Sequence, residues 1–245
     1  MKPDNFPPSE KVALNVVITG AGKGMGRACA EKFAADGNNI FICARNENEL
    51  SETARQLEEK YNCKVFYFPA DLSEKKSAQQ FGKWVLEKTS KVDILINNAG
   101  QFIPGSIYNE EDGLLEKMIA INLYAAYNVT RSLLPNMMEK KQGHIFNMCS
   151  IAALKSYDNG GSYSISKFAL MGFSKNLREE LKPYNIKVTA VYPGAVYTSS
   201  WFESGIAESR IMETSDIADI IFASSRLSPQ ACVEDIVIRP LLGDL

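Results

Sequence analysis

The chain has 245 residues, 45% of them apolar and 23% charged, proportions ordinary for a soluble globular protein with one large α/β core. A net charge of −2 gives no basic field to gather nucleic acid or anionic lipid, and no apolar run is long enough to span a membrane, so none of these partners is expected. The five cysteines (Cys29, Cys43, Cys63, Cys149, Cys232) are odd in number and lack a C-x-x-C spacing; they read as reduced core thiols of a cytoplasmic protein without a metal site.

Residues 1–11 lack the apolar core of a signal peptide and are expected to be a loose tail, leaving 12–245 as a single domain. Residues 12–19 are a short, β-branched apolar run, the mark of a buried parallel strand. The turn after it, Gly20-Ala-Gly-Lys-Gly-Met-Gly26, fits neither G-x-G-x-x-G nor G-x-x-x-x-G-K, because Met25 stands where each needs glycine. Its spacing is G-x-x-x-G-x-G on Gly20, Gly24 and Gly26. Glycines so placed let the backbone approach a pyrophosphate while helix N–H groups face the anion. Met25, Ala28, Cys29 and Phe33 then form the core stripe of a helix that stops near Gly37. A strand over 39–44 follows, and the residue after it bears on cofactor choice. A carboxylate there would hold a ribose 2′-hydroxyl, whereas an arginine accommodates a 2′-phosphate. The chain reads Cys43-Ala-Arg45-Asn46, and Lys23 in the glycine turn adds a second positive charge.

A helix over 47–61 and a strand over 64–68 lead to Asp71, placed to cap the next helix, which carries Phe81, Trp84 and Val85. A fourth strand over 92–96 closes on Asn97-Asn-Ala-Gly100. Leu114, Met118, Asn122 and Ala126 are spaced as a long buried helix ending near Pro135. An asparagine on that face must find partners or cost roughly 1–3 kcal/mol. Strand five, 143–150, begins at His144, read as a surface residue, and ends at Ser150, where open sheets place ligands. The following helix runs through Phe168, Phe173, Leu177 and Leu181 until Pro183. A strand over 186–192 leads into Pro193-Gly-Ala-Val-Tyr-Thr198, after which Trp201, Phe202, Ile206, Ile211 and Met212 read as a lid or as the residues that pack one down. A helix over 216–226 and a strand over 232–238 complete a doubly wound, mostly parallel sheet of about seven strands flanked by helices, the Rossmann type.

Tyr163 and Lys167 are four residues apart, on one face of the helix that carries them. An ammonium beside a phenol favours the phenolate, so the pair is expected to lower the tyrosine pKa from about 10. With 10 tyrosines in the chain, such a pair is expected about once by chance, and most are wet helix faces. The company of Ser150, Asn122, the N-N-A-G run and the glycine turn in this order raises it above chance. From residue 12 to 240 the chain resembles the short-chain dehydrogenase/reductase family, and in particular its NADP-preferring members.

That resemblance implies Tyr163, Ser150, Lys167 and Asn122 as the catalytic set, with Asn122 in a proton relay. It also implies NADP(H) held by Gly20, Lys23, Gly24, Met25, Gly26, Arg45, Asp71, Leu72, Asn98, Ala99, Gly100, Pro193, Gly194, Val196 and Thr198, together with Tyr163 and Lys167. Members pair subunits through the Tyr163 helix and the one before it, so a homodimer or homotetramer is expected. The family's D-G-G ending is replaced by Val237-Ile-Arg-Pro240, which departs from the usual tetramer contact. Phe102, Ile103, Leu154, Tyr157, Tyr192, Tyr197, Trp201 and Phe202 are the candidate walls for a flat or apolar carbonyl substrate. Two late stretches, 193–201 and 234–240, are similar to bacterial sepiapterin reductases. The rival readings are a 3-ketoacyl reductase and a non-catalytic sensor of NADP(H).

Overall fold

The computed structural model describes residues 12–198, 201 and 205–244; the expected tail and Phe202 of the expected lid lie outside them. The strands are β1 (Asn15–Thr19), β2 (Asn39–Ala44), β3 (Val65–Pro69), β4 (Ile94–Asn97), β5 (Gly143–Met148), β6 (Ile186–Pro193) and β7 (Asp235–Ile238). They pair in the order β3-β2-β1-β4-β5-β6-β7, every pairing parallel. The order reverses between β1 and β4, which opens a crevice at the carboxyl ends of those two strands.

Alternation along each strand divides the core in two. Val16, Ile18, Ile40 and Ile42 point to one face, under α1 (Gly24–Ala35), α2 (Glu47–Lys60) and α7 (Thr214–Ser225), and pack on Cys29, Phe33, Leu50, Leu57 and Ile217. Val17, Phe41 and Leu95 point to the other. There they meet Phe81 and Val85 of α3 (Lys75–Lys88), Val129 and Leu133 of α5 (Ala125–Lys140), and Leu177 and Leu181 of α6 (Gly161–Leu181).

Four expectations are corrected here. Pro135 lies inside α5 instead of ending it. Proline costs a helix about 3 kcal/mol, but Leu133 and Met137, both fully buried, hold the helix on the sheet on either side of it. The long helix is also not regular: α4 (Leu114–Ile119) passes into α5 through a π turn, Ala120–Tyr124. His144 is buried, its ring stacked on Phe146 with centroids 3.9 Å apart. Its Nε2 lies 2.7 Å from Thr189 Oγ1, whose only proton goes to Val233 O, so Nε2 carries the hydrogen and Nδ1 is left without a partner. Burial, then the charge of Lys187, pushes its pKa down to about 3. Cys232 is exposed and Cys63 half-buried, so only Cys29, Cys43 and Cys149 are core thiols.

Candidate active site

The glycine turn joins β1 to α1. Gly20 and Gly24 have φ of +66° and +58°, conformations that favour glycine. A Cβ on Gly26 would lie 2.4 Å from both Asn98 Nδ2 and Gly20 O, so the helix can seat this close only on a bare Cα. Lys23 caps α1 through its extended backbone, and its side chain is exposed. Met25 is half-buried and packs against the core. Arg45 leaves the end of β2 exposed, beside Asp71 at the end of β3. The Asp71 carboxyl sits below the usual carboxylate range, because Ser73 hydrogen-bonds it and, more weakly, because Arg45 is near. It accepts from Ser73 N and Oγ, whereas α3 starts at Lys75 with no side-chain cap, so the expected capping role is not observed. The Leu72 side chain is buried in the core. A Cβ on Gly22 would lie 3.7 Å from Oε2 of Glu49, in the first turn of α2.

The N-N-A-G run closes β4. Thr19 Oγ1, which no sequence motif singles out, accepts from both Asn98 N (3.0 Å) and Ala99 N (2.9 Å), and Asn98 Nδ2 donates back to Thr19 O and Gly20 O. The crevice wall is thus tied across the switch point from β4 to β1. Asn97 is buried and begins a polar chain: its Nδ2 reaches Thr130 Oγ1 and Asn147 Oδ1, and Asn147 Nδ2 reaches Ser174 Oγ on α6. Asn147 lies between Phe146 and Met148, and Ser174 between Phe173 and Lys175, with no local signal to single them out.

Asn122 sits in the π turn, a deformation frequent at functional sites. Its Oδ1 accepts from Gln101 N at 2.8 Å, and its Nδ2 donates to Gln101 O at 3.0 Å and to Ser166 Oγ at 2.9 Å. One side chain therefore joins the segment after β4 to α6. A Cβ on Gly100 would lie 2.9 Å from Asn122 Oδ1 and 3.5 Å from Lys167 Nζ, which accounts for the glycine that ends the motif.

Ser150, two residues past the end of β5, converges with Tyr163 and Lys167 from the first two turns of α6. Ser150 Oγ accepts from Ala152 N at 3.1 Å, which leaves its own proton for the Tyr163 phenol, with which it hydrogen-bonds. Lys167 is buried, donates to Met148 O at 2.8 Å, and has its Nζ 5.7 Å from the centre of the Tyr163 ring. Phe102 meets that ring edge-on, with centroids 4.8 Å apart. The expected fall in the phenol pKa is not what the chain's own groups produce. Burial pushes Tyr163 above its ordinary value, with the Ser150 hydrogen bond opposing, and pushes Lys167 down to about 8. Cys149 is also pushed up, to about 11, chiefly by burial, which fits an inert thiol.

Of the remaining site residues, Thr198 approaches the glycine turn, its Cγ2 3.5 Å from where a Cβ on Gly24 would be. Gly194 N donates to Ile238 O, and Pro193 ends β6. Val196 forms a parallel bridge with Met212, and Tyr197 N donates to Met212 O at 2.8 Å. Ile211 and Met212 are therefore buried and pinned, as residues that pack such a segment down would be; Trp201 and Ile206 are half-buried. Tyr192 is also no pocket wall: it is buried against Ala126, Cys149 and Leu170, with its hydroxyl on Asp235. Phe102, Leu154 and Tyr157 are exposed at the mouth.

Comparison with known proteins agrees with this geometry. The model of the short chain dehydrogenase family matches residues 14–208. An uncharacterized oxidoreductase of Staphylococcus epidermidis is 31% identical over 95% of this chain and 98% of its own length. Mouse (Mus musculus) dehydrogenase/reductase SDR family member 7B is 36% identical over 75% of this chain and 58% of its own. Two solved structures share the fold: a metagenomic short-chain oxidoreductase in complex with NADP (TM-score 0.80, 28% identity, 93% of this chain and 96% of that one) and L-sorbose reductase of Gluconobacter frateurii with NADPH and L-sorbose (TM-score 0.85, 26% identity, 93% and 95%). With its seven parallel strands, its glycine turn and its Ser150, Tyr163 and Lys167 brought to one crevice, the chain belongs to the short chain dehydrogenase family.

Proposed function

We propose that the protein is an NADP(H)-dependent oxidoreductase that interconverts a carbonyl compound and its alcohol. The observation that carries this is the meeting of Ser150, Tyr163 and Lys167 beside a glycine turn that only bare Cα atoms can form. The turn's backbone, Thr198 and the N-N-A-G segment fit a dinucleotide, and Lys23 and Arg45 suit the 2′-phosphate. When bound, NADPH supplies the hydride. Ser150 Oγ and Tyr163 Oη hold the reacting oxygen, and Tyr163 gives it a proton as the carbonyl carbon is reduced. A phenol held above its ordinary pKa is protonated at neutral pH, which suits this acid role. Asn122 keeps the Gln101 segment and α6 in register. A mere sensor of the nucleotide has no chemical need for Ser150, Tyr163 and Lys167 together, so the intact set favours an enzyme. Phe102, Leu154 and Tyr157 suit a flat or apolar substrate.

The same reading extends to assembly. Tyr124 at the end of the π turn, Tyr127 on α5, and Ile165 and Phe168 on α6 are exposed, and they support a homodimer or homotetramer built on those helices.

The test is NADPH and NADH oxidation, in parallel, against a panel of ketones, aldehydes, quinones and pterins, for the native chain and Tyr163→Phe. The native chain is expected to consume NADPH with at least one class, and the variant to lose about 100-fold or more in kcat while still binding NADPH. Comparable turnover by the variant would overturn the assignment.

A further inference from the structure

We propose that Glu110 is a positioning residue for this reaction: its carboxylate latches the loop between β4 and α4 onto the N-terminus of α6 and so fixes Phe102 and Tyr163 as one wall. The proposal rests on the reading of Tyr163 as the proton donor. Helix α6 begins without a cap of its own, because the N-cap residue is Gly160 and offers no side chain. Glu110 supplies one from 52 positions upstream: Ser162 N donates to its Oε1 at 2.7 Å, and Ser162 Oγ donates to its Oε2. A carboxylate at a helix start faces the positive end of the helix dipole, and hydrogen bonds to an ionised acceptor are the strong ones. Ser162 is almost fully buried and is the residue before Tyr163, so a shift at Ser162 swings the phenol.

The carboxylate leaves no room for a substituent at the adjoining position. A Cβ on Gly161, whose φ is +34°, would lie 1.9 Å from Glu110 Oε1 and 2.4 Å from Gly105 O. Two further bonds tie the same loop to the segment before α6: Ser106 Oγ donates to Asn159 Oδ1 at 2.8 Å, and Gly105 N donates to Asn159 O at 3.1 Å. At its other end the loop is held by Asn122 through Gln101. Phe102 is thus clamped between two fixed points and rests edge-on against the Tyr163 ring. None of these contacts touches the glycine turn or Arg45, so the latch bears on the carbonyl and not on the nucleotide.

The experiment compares Glu110→Ala, Glu110→Gln and Ser162→Ala. Glutamine keeps an acceptor for Ser162 N and offers its amide to Ser162 Oγ, so it retains the ties without the charge. Glu110→Ala is expected to lower kcat about tenfold and raise the KM of the carbonyl substrate, with the KM of NADPH within about twofold. Glu110→Gln is expected to recover to within about threefold, and Ser162→Ala to fall between. Amide hydrogen exchange needs no substrate and follows the tie directly: Ser162 and residues 101–113 are expected to exchange faster in Glu110→Ala. Equal loss in the alanine and glutamine variants, an alanine kcat within twofold of native, or unchanged exchange would each overturn the latch. If Glu110→Ala is insoluble, full activity of Ser162→Ala would overturn it. A native chain that reduces no carbonyl, together with exchange that does respond, would sink the assignment of function and leave the tie standing.

Discussion

The two walls of the crevice are selective by different means. On the β1 to β3 side, the nucleotide wall is made of backbone: glycines at φ of +66° and +58°, one Cα with no room for a Cβ, and two cations exposed to water. On the β4 to α6 side, the reacting wall is made of buried polar side chains tied by hydrogen bonds: Asn97 to Thr130 and Asn147, Asn122 to Gln101 and Ser166, and Lys167 to Met148 O. A wall of the first kind fails by collision and one of the second kind by titration or lost alignment. Substitutions on the two sides should therefore differ in what they disturb, not only in how much.

The largest effect is expected at Lys167. Lys167→Met should lower kcat/KM by about 100-fold or more, yet leave the fold no less stable at pH 7, because it removes an ammonium that the folded state holds at a cost. The folded pKa, about 8, lies below the unfolded value of about 10.5, so the unfolded chain binds the extra proton between them. Native stability should thus rise with pH across that window by up to about 1.4 kcal/mol per pH unit, and the variant should lack the rise in denaturant titrations. Next comes Gly26→Ala, whose new methyl group meets Asn98 and Gly20; it should cost about 1–3 kcal/mol in thermal unfolding and weaken NADPH binding. Arg45→Ala should raise the KM of NADPH about tenfold and leave that of NADH unchanged, a contrast that a structural role would not produce. An equal rise for both cofactors would instead show that Arg45 does not read the 2′-phosphate.

The smallest effect at neutral pH belongs to His144, at the end of β5 away from the crevice. Its folded pKa of about 3 lies below the unfolded value of about 6.5, so its contribution is complete above 6.5 and is lost as pH falls toward 3. His144→Leu should flatten the acid limb of stability between pH 6.5 and 4 without changing kcat. A change in kcat would break the separation between this end of the sheet and the site.

Much of the nucleotide wall was legible because its constraints are local. Glycine spacing, β-branched runs and the boundaries of β2 follow from neighbours in the chain, and 39–44 is the strand observed. Ser150, Tyr163 and Lys167 were legible as a motif, although not the direction in which their pKa values move, since burial is set by the packing of α6 on the sheet. Pro135 misled because tertiary packing on Leu133 and Met137 outweighs a local break. His144 and Tyr192 misled for a related reason: a polar group is buried when distant partners, Thr189 and Asp235, reach it. Glu110 gave no signal, because its partner lies 52 residues away and a lone acid in a loop looks like any other.

The π turn at Ala120–Tyr124 carries a further consequence. One surplus residue in a helix rotates everything after it by about 100° about the axis. Before the turn, Met118 lies on the side of Asn122; after it, Val129, Leu133 and Met137 are delivered to the sheet. Deleting a single residue between 120 and 124 would straighten the rod and swing that second stripe toward water. The five-residue loop of backbone thus sets the phase between two hydrophobic seams, and a one-residue deletion there should disrupt folding before it reaches any question of chemistry.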